Sequence, residues 1–161
     1  MSKRIIVLGG SGFIGAVTCA RLAQAGWRVT VPTRRGVHAR TVQTLPGVDV
    51  IEADAADAAA LARLLPGHEA VVNLIAILHG RAAAFEHAHV QFPATLGRAC
   101  ADAGVRRVVH VSALGCSLSG RSMYQRTKAG GEVAIRAFGL DVTVLRPSVV
   151  FGAGDRFLNL F

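Results

Sequence analysis

An apolar run, Ile5-Ile6-Val7-Leu8, stops at a glycine cluster, Gly9-Gly10-Ser11-Gly12-Phe13-Ile14-Gly15. Apolar residues then return at helical spacing at Ile14, Val17, Leu22 and Ala25. The period therefore switches from strand to helix across one short turn. Gly10, Gly12 and Gly15 fit G-x-G-x-x-G, and Gly9, Gly12 and Gly15 fit the looser G-x-x-G-x-x-G. In such a turn one glycine permits the sharp bend, one lets backbone N–H groups approach a pyrophosphate, and one lets helix and strand pack closely. The helix N-terminus that follows favours negative charge. A glycine-rich turn can be only a turn, but the strand before it and the helix after it are the context a dinucleotide site requires.

The remaining chain alternates in the same way. Gly26 stops the first helix, and Trp27 to Val31 reads as the second strand. Beyond it lie Pro32-Thr33-Arg34-Arg35, where an NAD-binding turn would carry an acid for the ribose 2′-hydroxyl. A guanidinium fork suits a 2′-phosphate instead, so Thr33, Arg34 and Arg35 favour NADP(H) over NAD(H), with exposed loop arginines as the plain alternative. Gly36 to Leu45 reads as a short helix or irregular crossover, and Val48 to Glu52 as the third strand. Asp57 is a good N-cap for an alanine-rich helix ending near Leu65. Asp54 and Ala55 sit at the third strand's end, where Asp54 could take the adenine amino group or serve the turn. Ala70 to Ile75 is a continuous apolar strand, a long helix is expected from Phe85 to Ala103, and Val108 to Val111 is the fifth strand. Ser122 to Phe138 reads as helix and Val142 to Leu145 as the sixth strand.

Strands alternating with helices, without hairpin signals, specify an α/β fold. Right-handed crossovers give a Rossmann-type, doubly wound parallel sheet with helices on both faces and strand order 3-2-1-4-5-6. A dinucleotide-binding domain is expected over 1–150, with 151–161 beginning a substrate-side segment that reads as truncated.

Composition removes several alternatives. At 161 residues the chain can bury a full core, and 52% hydrophobic against 17% charged residues argues against disorder. The apolar run from Ala70 to Leu78 is interrupted by Asn73 and is too short for a transmembrane segment. Met1 to Leu8 is a poor signal peptide, so a cytoplasmic protein is expected, or one held peripherally at the inner face of a membrane. Cys19, Cys100 and Cys116 form no metal or disulfide pattern. His87 and His89 sit two apart in a helical stretch, do not share a face, and read as solvated. No metal site is expected. The net charge of +8 comes from scattered arginines, with no aromatic RNA motif or recognition helix, so no nucleic-acid partner is expected.

Tyr124-Gln125-Arg126-Thr127-Lys128 forms Y-x-x-x-K. With the glycine turn, Asp54 and Asn73-Leu74-Ile75-Ala76, it resembles the short-chain dehydrogenase/reductase superfamily over nearly the whole chain. Val109 to Gly115, Leu145 to Gly152 and Asp155 to Asn159 resemble the atypical, extended branch that contains the nucleotide-binding accessory subunit of respiratory complex I and its bacterial relatives. The resemblance implies that Gly9 to Gly15, Thr33 to Arg35, Asp54, Ala55, Asn73, Ala76, Lys128, Pro147, Ser148 and Val149 contact the dinucleotide. It implies Tyr124, Lys128 and Ser112 as catalytic residues. Spacing of four places Tyr124 and Lys128 on one helical face, where an ammonium would lower the tyrosine pKa. Two departures matter. Alignment of the fifth strand puts Ala113 at the usual hydroxyl position, leaving Ser112 out of register. The chain also stops at Phe161, before the part that forms most of the family's substrate pocket.

Two functions follow. One is a subunit or sensor that binds a nicotinamide dinucleotide with little or no rapid turnover, partnered by a respiratory complex or by itself. The other is an NADP(H)-dependent oxidoreductase, or an epimerase/dehydratase-like enzyme, using Tyr124 and Lys128 on a small or quinone- or lipid-like carbonyl or hydroxyl substrate.

Overall fold

A computed structural model describes residues 3–152. The apolar terminus from Phe157 to Phe161, and the rest of the expected substrate-side segment beyond Gly152, lie outside the described residues. The strands are β1 (Arg4–Leu8), β2 (Arg28–Thr33), β3 (Val48–Glu52), β4 (Ala70–Asn73), β5 (Arg107–Val111) and β6 (Asp141–Leu145). They form one parallel sheet in the order β3-β2-β1-β4-β5-β6, the order read from the sequence.

Side chains alternate across this sheet, and both faces are buried at its centre. Ile6, Leu8, Val71 and Val108 face one way and pack with Leu61 of α2 (Ala58–Leu64), Leu96 and Cys100 of α4 (Phe92–Asp102) and Ile135 of α5 (Met123–Arg136). Ile5, Val7, Val29, Val31 and Val72 face the other way, toward Cys19 of α1 (Phe13–Gln24) and toward Ala39 and Val42. Each large side chain so buried contributes roughly 1.5–3 kcal/mol. Local signals set the ends. Asp57 accepts from the Ala59 and Ala60 N–H groups, and Ser122 and Gln125 form a reciprocal capping box on α5. Gly26 and Gly104 take positive φ, which only glycine adopts freely.

The carboxyl ends of two strands differ from the sequence reading. β2 runs on to Thr33 and includes Pro32. Thr33 O accepts from Ala53 N beside β3. The alternation turns Pro32 to the opposite side, where the β1 register has stopped at Thr30, so the missing N–H costs no ladder bond. β4 ends at Asn73, because the Asn73 side chain then takes the Ile75 N–H. The segment from Gly36 is a single 3₁₀ turn, Gly36–Ala39, followed by irregular chain.

The long helix starts earlier and is not uniform. α3 (Ala82–Glu86) passes into a π-turn, His87–Gln91, before α4 begins. Pro93 explains the change of winding. It has no N–H to give the carbonyl four residues back, that of His89, so the ladder widens there.

Candidate functional site

The order β3-β2-β1-β4-β5-β6 reverses direction between β1 and β4, the switch point at which sheets of this kind form a ligand crevice outside the carboxyl ends of their strands. The glycine turn lies on this crevice. Gly12 N donates to Gly9 O at 3.0 Å, and Gly12 opens α1 without a side-chain cap. The first N–H groups of the helix therefore point outward with no acceptor inside it. The glycines divide their work. A Cβ on Gly15 would lie 2.2 Å from Gly9 O and 2.6 Å from Gly10 Cα, so helix and turn touch through bare backbone. A Cβ on Gly10 would lie 2.9 Å from Val31 of β2. At Gly12 the nearest atom is Gly9 O at 3.3 Å, and the outer side is open. That openness, beside uncapped N–H groups, fits a pyrophosphate. Ser11 and Phe13 are half-buried in the turn, and Ile14 is exposed on its outer side.

The residues expected at the adenosine end lie on and after β2 and β3. Thr33 is buried and its hydroxyl donates to Arg35 O at 3.1 Å, which shapes the turn. Arg34 and Arg35 are exposed, and neither joins an ion pair among the described residues. Glu52 adds a carboxylate here, accepting from Gly36 N at 3.3 Å. Asp54 accepts from Ala56 N at 3.0 Å, so turn duty is the role its geometry displays; Ala55 is buried behind it.

The other end is built from side chains. Asn73 is fully buried; its amide oxygen accepts from Ile75 N, and its amide nitrogen donates to His110 Nδ1 at 3.1 Å. Ala76 follows on the exposed rim. Lys128 is 2% exposed, and its Nζ donates to Val111 O at 2.7 Å. Burial brings its pKa down to about 8, against the opposing pull of Cys116 and Glu132. Tyr124 is half-buried one turn earlier on the same helix. Its pKa is raised, by burial first and then by Cys116, where the sequence reading expected lysine to lower it. The reason is geometric: the ammonium is turned down onto a strand carbonyl, so desolvation governs the phenol.

Ser112 is buried and faces α5 deeper in the fold. Its hydroxyl lies close enough to Glu132 to favour that carboxylate, yet makes no well-aligned hydrogen bond. Glu132 is eight residues past Tyr124, roughly 12 Å along a helix. Ala113 beside Ser112 has no hydroxyl to offer. The Glu132 carboxylate is disfavoured by burial but held below its usual pKa by Arg146, which grips it with two hydrogen bonds of 2.9 and 2.6 Å. This pair, absent from the sequence reading, clamps the end of β6 to α5 and so sets where Pro147, Ser148 and Val149 run. Pro147 O accepts from Leu114 N, while Ser148 and Val149 are exposed.

The solvated reading of the paired histidines holds for His87 and fails for His89. His89 is 2% exposed, and burial, then Lys128, lowers its pKa to about 4. The cause is close packing: a Cβ on Gly131 of α5 would lie 2.0 Å from His89 O, so α5 lies directly on the π-turn. Gly130-Gly131 inside a helix was the available signal, since mid-helix glycine is costly unless something approaches closely. No group of three or more possible metal ligands occurs among the described residues, and no helix there is long and apolar enough to cross a membrane.

Comparison with known proteins agrees with this architecture. Residues 5–160 match the model of the NAD dependent epimerase/dehydratase family. Subunit 9 of the mitochondrial NADH dehydrogenase [ubiquinone] 1 alpha subcomplex of Mus musculus is 34% identical over 96% of this chain and 42% of its own length. Ceramide reductase of Caulobacter vibrioides is 31% identical over 98% of this chain and 50% of its own. The chain thus spans half or less of these curated relatives. Among solved structures, a dTDP-glucose 4,6-dehydratase from Streptomyces venezuelae with NAD bound superposes with a TM-score of 0.76 at 32% identity, covering 89% of this chain and 55% of that one. The UDP-Glc/GlcNAc 4-epimerase of Campylobacter jejuni reaches 0.80 at 16% identity, a likeness of fold alone, over 89% and 53% of the two chains. With its glycine turn on the crevice, its six-stranded order and a family match spanning nearly its whole length, this chain belongs to the NAD dependent epimerase/dehydratase family, of the short-chain dehydrogenase/reductase type, and resembles within it the accessory subunit of respiratory complex I.

Proposed function

We propose that this chain binds a nicotinamide dinucleotide across the carboxyl ends of its strands, prefers NADP(H), and holds it with little or no rapid turnover. The single observation carrying the binding is the open, uncapped N-terminus of α1 at Gly12. The preference rests on Arg34 and Arg35, exposed and in no ion pair among the described residues, with Glu52 as the opposing charge. Slow turnover rests on Ser112 facing Glu132 and on Ala113 lacking a hydroxyl, because losing a preorganised donor costs orders of magnitude in rate. The likeness to a complex I subunit makes a respiratory assembly the first partner to test, with a second copy of the chain next, and a cytoplasmic or membrane-peripheral setting accompanies that reading.

A second reading is favoured by half-buried Tyr124 with Lys128 buried one helical turn on. When bound, the nicotinamide supplies or accepts hydride. Lys128 would hold its ribose. Tyr124 would pass its phenolic proton to a carbonyl oxygen, or take one from a hydroxyl, of a small or quinone- or lipid-like substrate.

Fluorescence titration with NADPH and NADH tests binding, and carbonyl and quinone panels test NADPH oxidation. Saturable binding without steady oxidation supports the first reading. Steady oxidation that Tyr124→Phe cuts about 100-fold or more, with NADPH affinity retained, would establish the second.

A further inference from the structure

We propose that His89 is the residue that positions Tyr124, by tying the turn after β4 to helix α5 beneath the tyrosine ring. This rests on the reading of Tyr124 as the proton-transfer group of the site.

The hydrogen bonds dictate the form of the imidazole. Ile77 N donates to His89 Nε2 at 3.1 Å, so that nitrogen carries no proton. Nδ1 therefore carries it and donates to Thr127 Oγ1 at 3.0 Å. The Thr127 hydroxyl donates in turn to Met123 O at 2.9 Å, the carbonyl just before Tyr124. One ring thus joins the β4 turn to the first turns of α5. The same ring stands edge-on to Tyr124, with centroids 5.4 Å apart and planes at 87°, and edge-on to Phe85 at 5.5 Å and 63°. Phe85 in turn meets Tyr124 at 6.5 Å and 84°. Three rings lean on one another, and only the histidine is bonded to backbone and hydroxyl on both sides.

The backbone holds His89 there. Pro93 frees the His89 carbonyl from the helix ladder, and Gly131 lets α5 lie against that carbonyl. An aliphatic residue would fill the volume but leave the Ile77 N–H without its acceptor. The groups facing His89 are Lys128 and Tyr124 from α5 and His110 from β5. None is a carboxylate that would favour an imidazolium. A second proton would also turn Nε2 into a donor pointed at the Ile77 N–H. His89 therefore stays neutral, and the tie stays closed, across the neutral range.

Tyr124 is the only tyrosine in the chain, so protein labelled with ¹³C at the tyrosine ring gives one reporter, independent of turnover. The wild-type resonance should titrate above the ordinary phenol range. His89→Ala and Thr127→Val should each lower that midpoint by about half a pH unit or more, as the loosened ring gains water. His89→Gln, which keeps an acceptor for Ile77, should recover most of the difference. If His89→Ala does not fold, Thr127→Val decides, because it leaves the histidine in place. A midpoint unmoved in the folded variants, with only stability lowered, would overturn the proposal. NADPH titration of the same samples separates the two readings: failure of wild-type protein to bind would sink the nucleotide site without moving the tyrosine result.

Discussion

The two ends of the crevice are made of different materials. The glycine-turn end is backbone: Gly9, Gly10, Gly12 and Gly15 meet one another, β2 and the start of α1 with almost no side chain involved. The opposite end is side chains: Asn73, His89, His110, Thr127, Lys128 and Glu132 are all buried and joined by hydrogen bonds or charge. A backbone construction tolerates nothing added to it. A side-chain construction depends on the protonation and rotamer of each member.

Four measurements would sharpen or break that contrast. The largest effect should come from Gly15→Val, whose Cβ would lie 2.2 Å from a carbonyl that cannot swing away. Urea denaturation should show a loss of about 3 kcal/mol or more, a large part of the stability of a small domain. Stability near wild type would mean that helix and turn do not meet as described.

Gly12→Val is the matched control. There the added carbon meets only Gly9 O at 3.3 Å, so the fold should survive. The valine fills the space where a pyrophosphate would meet the backbone. Losing two charge-assisted hydrogen bonds, at about 1.5–3 kcal/mol each, should weaken NADPH roughly a hundredfold or more. Unchanged affinity in a folded variant would remove the phosphate site from this turn.

Acid should act on the side-chain end. Burial, then Lys128, lowers the pKa values of His89 and His110 to about 4. An unfolded imidazole takes its proton near 6.5, so between pH 6.5 and 4 the unfolded chain binds more protons than the folded one. Stability is therefore lost as pH falls through that window, by at most about 3 kcal/mol per histidine. Urea midpoints at pH 7 and pH 5 measure the loss. His110→Asn, which keeps an acceptor for Asn73, should flatten the curve, and an equally steep curve in that variant would contradict the assignment.

The smallest effect concerns the adenosine end. Arg34→Ala should weaken NADPH by about 1.5–3 kcal/mol and NADH by much less. Equal losses would mean that the arginine reads no 2′-phosphate.

The same contrast explains what the sequence could and could not disclose. Strand order and the glycine turn were legible because they rest on local signals: apolar periodicity in β1 and β4, glycine spacing, and the Asp57 and Ser122 caps. The side-chain end was partly hidden. His89 looks solvated beside His87 until Pro93 and Gly131, far apart in sequence, are seen to expose its carbonyl and admit α5. The Arg146–Glu132 clamp and the downward turn of Lys128 are contacts between distant elements, and no local pattern encodes them. Tyr124 shows the cost. A spacing rule puts Lys128 one helical turn from Tyr124, but the sign of the tyrosine's pKa change depended on where the ammonium pointed.

The register of β1 has a consequence for the order in which the protein is made. Leu8 pairs with Asn73, and the turn that begins at Gly9 packs against Leu74, so the glycine turn borrows one wall from the far side of the first three strands. β1, β2 and β3 can pair as soon as they leave the ribosome, but β1 keeps an open edge until β4 arrives. A nascent chain halted before Leu74 would carry every residue of the glycine motif and still lack a finished nucleotide cradle. Dinucleotide in the cell could then capture this protein only after β4 has been synthesised and docked, as a late event in its folding rather than its seed.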